Sequence, residues 1–195
     1  MTFRGSYRIS NLDFKIIPES EINFMRKLLT VSLLFLLFAC QSESQGQKST
    51  RKVQLMTPSG DVINSIFAID PDEQEKGLSG IRPEDFADDQ GMLFFYLEDN
   101  ERHFWMPDTH FELDLFYLDK DLKITDIIRK LPFHKGWANP ELIPRARGIW
   151  ARHVLEMKST SPIAHKLKIG DVLKWQGAKS LQETENVVRE NAKKY

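Results

Sequence analysis

The sequence holds a single cysteine, Cys40, in 195 residues. No intrachain disulfide framework and no cysteine-rich zinc site can be built from it. Net charge is nearly absent as well: 27 Lys and Arg stand against 28 Asp and Glu, a formal charge of -1. No overall basic field therefore draws nucleic acid, which is not an expected partner. Long apolar runs are missing too. The main one, from Leu28 to Ala39, has 12 residues and rises only about 18 Å as a helix, against a bilayer core of about 30 Å. Several chemical motifs are also lacking: no Gly-x-Ser-x-Gly elbow, no phosphate loop, no dinucleotide fingerprint and no His-Glu-x-x-His pair. No cofactor and no metal site is expected. With 41% hydrophobic and 28% charged residues, the chain is nonetheless neither disordered nor fibrous.

What is present near the front is an address. Met25-Arg26-Lys27 is a short basic start, the 12 mostly apolar residues follow, and Cys40 comes next. Basic start, short apolar core and small residue before the cut are the parts of a secretory signal peptide. The ending Leu37-Phe38-Ala39-Cys40 resembles a bacterial lipoprotein signal. The resemblance implies that Cys40 is lipidated and begins the mature chain, with the membrane as its partner. Residues 1–39 are then the signal-peptide region, with 1–24 read as a start-site artefact ahead of Met25. Residues 40–52 are a polar tether with little to bury. Gln41 lacks the aspartate associated with inner-membrane retention, so the expected address is the cell envelope at the outer membrane.

Residues 53–175 read as short strands. Val53–Thr57 and Val62–Ile69 flank the turn Pro58-Ser59-Gly60-Asp61 and suggest a hairpin. Asp70, Pro71 and Glu73 form a helix start with a capping box, closed by Gly77 or Gly80. Met92–Leu97 is apolar throughout, as in a strand buried on both faces. His103–Met106 is a short strand stopped by Pro107, and Leu113–Leu118 with Leu122–Ile128 forms a second hairpin. The segment 132–148 carries three prolines and two glycines and reads as an ordered loop. Trp150–Met157 is a strand, Ser161-Pro162 opens a second short helix closed by Gly170, and Asp171–Trp175 is the last strand. The tail 176–195 is polar, weakly helical and mobile. The expected fold is all-β with two short helices, one sandwich or barrel around a single core.

Five motifs in the middle of the chain go beyond this generic pattern: Glu75-Lys76-Gly77-Leu78, Gly91-Met92-Leu93-Phe94, Phe104-Trp105-Met106, Leu113-Asp114-Leu115-Phe116 and Val154-Leu155-Glu156. In this order and spacing they resemble the Domain of Unknown Function 192 family over residues 60–175. The resemblance implies a compact, jelly-roll-like β-sandwich and no particular activity. Three places depart from the family pattern. Ser79 follows Gly77-Leu78 where methionine is usual, Pro107-Asp108 replaces Lys-Asn after Trp105-Met106, and Glu112 replaces a proline.

The polar residues that interrupt apolar strands are the candidates for chemistry. Asp114 and Glu156 each break an apolar run, and a bare buried carboxylate is costly. Their structural reading is pairing with a cation, for which Arg152 and Arg82 are candidates, or hydrogen bonding to backbone donors. The functional reading puts Asp114 with Trp105, Asp108 and Thr109 in a small pocket, with Trp137 as a second aromatic wall for a sugar ring or peptide. Core packing of the aromatic residues is the competing account. His103, His110 and His153 lie near these carboxylates in sequence, without metal-ligand spacing. The lack of a catalytic set favours a lipid-anchored binding or accessory module over an enzyme. The alternatives are an envelope hydrolase using Asp108 or Asp114 with a nearby histidine, and a purely structural envelope protein.

Overall fold

The computed structural model describes residues 52–192. The signal-peptide region, Met25, Cys40 and the tether up to Arg51 lie outside the described residues.

Strand β1 (Lys52–Met56) pairs antiparallel with β2 (Val62–Ala68), as the alternating pattern and the Pro-Ser-Gly-Asp turn predict. Helix α1 (Pro71–Lys76) then carries the chain across to β3 (Gln90–Phe94), which lies parallel to β2. A parallel neighbour needs such a crossover connection, and α1 supplies part of it. Its start is the capping box foreseen in the sequence, with Asp70 and Glu73 satisfying each other's backbone N–H groups. Gly77, at φ 49°, ends it in a backbone region that glycine favours.

Strands β5 (Leu113–Leu118) and β6 (Ile124–Leu131) form the second hairpin, and β8 (His153–Lys158) inserts between β5 and β3. With the short β9 (Lys174–Trp175), one seven-stranded sheet runs in the order β6-β5-β8-β3-β2-β1-β9. That sheet curls until its two edges approach. Lys123 bridges Val172, Ile124 N–H donates to the Asp171 carbonyl at 2.8 Å, and Leu173 N–H donates to Leu122 at 3.1 Å. A separate ribbon of β4 (Asn100–Arg102) and β7 (Ile149–Ala151) covers part of the outside. The all-β, sandwich-like reading therefore holds, and the described residues belong to one compact unit.

The three central strands are buried on both faces, and alternation divides their side chains between two cores. Leu93, Phe116, Leu118, Leu155 and Met157 point inward with Val53, Leu55, Ile63 and Leu173. Phe94, Leu113, Leu115, Tyr117 and Val154 point outward beneath Leu78, Phe104, Met106, Ile149 and Ala151. Gly91 marks how tightly the inner core is packed. A Cβ at this position would stand 2.7 Å from Leu155 Cδ1 and 3.1 Å from Ile63 Cγ2.

Several boundaries differ from the expectation. The expected strand at Trp150–Met157 is broken at Arg152, because β7 pairs with β4 while β8 pairs with β3 and β5. His103–Met106 is not a strand: only Trp105 bridges, to Arg145, and β4 precedes it. Helix α2 (Pro162–Lys166), capped by Ser161, stops short of Gly170. A third helix, α3 (Leu181–Ala192), occupies the C-terminal segment and rests Leu181 and Val188 on the inner core. No helix among the described residues is long and apolar enough to cross a membrane.

Candidate functional site

The two carboxylates singled out by sequence lie on neighbouring strands but face opposite cores. On β5, Asp114 follows Leu113 and is turned inward. Here the β5–β6 register slips: Leu113 faces Leu131 while Leu115 faces Ile128, so Asp114 stands opposite a bulge holding Arg129 and Lys130. The bulge aims both at the carboxylate. Arg129 Nη1 donates to Oδ2 at 2.6 Å, and Lys130 N–H, on a residue at φ 52°, donates to Oδ1 at 2.9 Å. The guanidinium also donates to the carbonyls of Ala164 at 2.8 Å and Leu167 at 2.5 Å, tying α2 to the sheet. The expected cation is thus Arg129 and not Arg152 or Arg82. Arg152 pairs with Asp99 at 2.7 Å and Glu185 at 3.6 Å, and the exposed Arg82 pairs with Asp85 at 2.8 Å.

Glu156 faces the other way. On β8 it sits opposite Met92 of β3 and Leu115 of β5, in the middle of the sheet. It is 3% exposed, and no described residue donates a hydrogen bond to its carboxyl. Burial pushes its pKa up to about 8, so it is mostly a neutral acid at pH 7. Two phenols share this environment. Tyr117, two residues beyond Leu115 on β5, has a buried hydroxyl with no partner among the described residues. Burial raises its pKa strongly, and the nearby Glu156 charge adds to this. Tyr96 is raised chiefly by burial; Arg102, stacked 3.5 Å above its ring, opposes that rise, while Glu156 adds to it.

Glu156 lines a cleft of about 280 Å³, near the lower end of the small-ligand range. Its walls include Phe94, Tyr96, Phe104 and Trp105, with Gln74, Lys76 and Ser79 from α1 and its exit. Family-like motifs build these walls. Gly77 packs against Phe94, where a Cβ would stand 3.2 Å from the ring. Ser79 Oγ donates to the Pro107 carbonyl at 2.7 Å, and Gly80 N–H donates to Asp108 at 2.8 Å. These bonds join the helix exit to the Trp105-Met106 segment. The Gln74 amide donates to the carbonyls of Ile69 at 3.0 Å and Phe95 at 3.2 Å, fixing α1 across two strand ends.

Trp105 and Thr109 line this cleft, whereas Asp108, Asp114 and Trp137 do not. Thr109 donates to the Met106 carbonyl at 2.8 Å. Asp108, at φ 47°, accepts from Gly136 N–H at 3.1 Å and lies 3.2 Å from His110 Nε2, holding the 132–148 loop against the 105–110 segment. Trp105 meets Trp137 edge to face at 5.5 Å and carries Arg145 over its ring. Beside them a second hollow of about 290 Å³ opens between His103, Phe104, Trp105, Arg145 and Ala146. Trp137 and Trp150 are exposed.

The histidines do not converge. His153 is buried and stacked on Phe95 at 4.5 Å, and its Nδ1 accepts from Tyr96 N–H at 3.2 Å. Burial, then the Arg152 and Arg102 cations, push its pKa down to about 3. His103 lies 3.4 Å from Glu101 at the surface. Among the described residues no group of three His, Cys, Asp or Glu side chains is placed to hold a metal ion.

Sequence reasoning missed Tyr96, Tyr117 and Arg129. The period-two alternation of Leu113, Leu115 and Tyr117 places the second tyrosine on the Glu156 side once β5 and β8 are known to pair. Their pairing has no signal in the local sequence.

Comparison with known proteins agrees with the fold. Two crystal structures are similar, each at a TM-score of 0.51 and over 64% of this chain. One is a putative transcription regulator from Sinorhizobium meliloti 1021, 28% identical and matched over 92% of its length. The other is a protein of unknown function from Novosphingobium aromaticivorans DSM 12444, 26% identical and matched over 84%. No curated protein matches the chain. Residues 54–175 match the uncharacterized family DUF192, a span that includes the capped α1, the Trp105 segment and the Glu156 strand. The chain belongs to the Domain of Unknown Function 192 family.

Proposed function

We propose that this protein is a small-ligand binding module of the cell envelope, tethered through a lipidated Cys40, with the Glu156 cleft as its binding site. The observation that carries the reading is Glu156 itself: a buried carboxyl without a hydrogen-bond partner among the described residues, lining an open cleft with aromatic walls. A buried acid normally finds a partner within the protein, as Asp114 does. One left bare beside a cleft is available to a ligand, and aromatic walls with a few polar groups are the usual make-up of such sites. Trp105 and Thr109 contribute to this cleft, while Asp108 and Asp114 support the surrounding frame. A hydrolase built on the Asp108–His110 pair is less well supported, because that carboxylate is already shared with the Gly136 amide. The lipoprotein-like run from Met25 to Cys40 supports the envelope address, with the outer membrane as the expected site.

Thermal-shift measurements on the full chain test the binding reading, using oligosaccharides, cell-wall fragments, short peptides and small organic cations. A ligand that binds the native state raises the melting temperature by mass action. The expected result is a shift of several degrees with one class, lost in Trp105→Ala. A flat panel rejects the small-ligand reading. Membrane fractionation with labelled palmitate tests the tether: label and membrane association both disappear in Cys40→Ala if the reading is right.

A further inference from the structure

The bare carboxyl also bears on the charge of what it binds. A neutral hydrogen-bond acceptor would be served equally well by a glutamine at position 156. A buried carboxyl differs from an amide in one respect: it can develop a negative charge when a cation arrives to balance it. The walls point the same way. Phe94, Tyr96, Phe104 and Trp105 line the cleft, and aromatic faces attract cations, alkylated ammonium groups in particular. Arg102 already shows this preference within the protein, its guanidinium stacked on Tyr96. Around Glu156 no described residue supplies the hydrogen bonds that would hold an anion unaided.

Resting on the binding reading above, we infer that the Glu156 cleft takes an organic ammonium cation, with the alkylated nitrogen against the aromatic walls and the Glu156 carboxylate as its counter-ion. The proton balance is simple. Glu156 enters as the neutral acid, the cation binds, and the carboxyl proton leaves to solvent. The charged and titratable groups around the cleft are Glu75 and Lys76 from α1, His103 from the Trp105 segment, Tyr96 beyond β3, Tyr117 of β5, and Arg102 of β4 on the Tyr96 ring. The two phenols are held neutral through the physiological range. The proton released on binding is assigned to Glu156, and loss of the release in Glu156→Gln separates it from His103, the other titratable group of the cleft lining that could supply one near neutrality.

Choline is a suitable probe because its charge is independent of pH, and dimethylbutanol is its uncharged carbon isostere. Titration calorimetry of the full chain in two buffers of different ionisation enthalpy should show choline binding with release of close to one proton per site at pH 7. Affinity should rise about tenfold per pH unit between pH 6 and 7 and level off above about 8. Dimethylbutanol should bind at least tenfold more weakly, and Glu156→Gln should abolish both the proton release and the preference for choline. Equal binding of the two probes, or no binding of choline, overturns the cation inference. If choline fails while a neutral compound stabilises the wild type but not Trp105→Ala, the cation inference falls and the binding reading stands. If no compound binds at the cleft, both fall.

Discussion

Asp114 and Glu156 lie on adjacent strands, at 1% and 3% exposure, yet their surroundings are opposite. The inward Asp114 is held by a guanidinium and a backbone amide, and that same guanidinium clamps two carbonyls at α2. The outward Glu156 has no hydrogen bond from a described residue and faces a cleft. One face of the sheet uses its carboxylate to close the fold, while the other leaves a buried carboxyl without a described partner at the wall of a cleft. Burial alone does not separate a paired acid from an unpaired one; the partner inventory does.

The contrast can be broken by amidating each acid in turn. Asp114→Asn removes the counter-charge of Arg129 from a pair in which the carboxylate is buried but the guanidinium is 37% exposed, so the loss is about 2 kcal/mol, less than for a fully buried pair. Urea unfolding should show that loss with an unchanged slope on denaturant. Gly91→Ala probes the packing of the inner face, where the new methyl meets Leu155 and Ile63. Overpacking of this kind costs about 2 kcal/mol, seen as a lower denaturation midpoint.

Glu156→Gln should act in the opposite sense to Asp114→Asn. The folded pKa of Glu156, about 8, lies above its unfolded value of 4.5. The unfolded chain gives up this proton first, so wild-type stability falls as pH rises through that window, by roughly 1 kcal/mol per pH unit. His153 works against this at the acid end. Its folded pKa of about 3 lies below its ordinary 6.5, so its contribution is present above 6.5 and is lost as pH falls. Between 4.5 and 6.5 the two trends oppose each other, and from 6.5 to 8 the Glu156 slope stands alone. Melting curves across pH 6.5–8 should fall for the wild type and stay flat for Glu156→Gln. Equal slopes would mean that Glu156 is ionised throughout. The smallest expected effect is that of Tyr117→Phe, which removes a hydroxyl with no partner among the described residues and should change stability by under about 0.5 kcal/mol.

Much of the fold was legible because its signals are local. The Pro58–Asp61 turn, the capping box on Asp70 and Glu73, and the apolar run around Leu93 each act over a few residues, and β1, β2, α1 and β3 followed with small shifts in boundary. Trp150–Met157 misled because Arg152, where the chain changes sheets, carries no proline, glycine or turn signal that would break an extended run. At Arg152 the backbone N–H donates to Leu118 and the side chain pairs with Asp99. No propensity marks that switch, since the strands on either side, Ile149–Ala151 and His153–Lys158, are both compatible with extended backbone.

The candidate site divides in the same way. By itself the sequence determined that Asp114 and Glu156 would be buried acids, that Trp105 would lie in a chemically distinctive segment, and that the domain would be a small β-fold, because alternation and apolar context act within one strand. Which acid is paired and which is bare was decided only in three dimensions. A bulge in β6 presents Arg129 to Asp114, and the insertion of β8 between β5 and β3 sets Glu156 among Tyr117, Tyr96 and the aromatic walls. Strand order and register are long-range choices, made by burying both faces of the central strands at once, and no single segment of the chain encodes them.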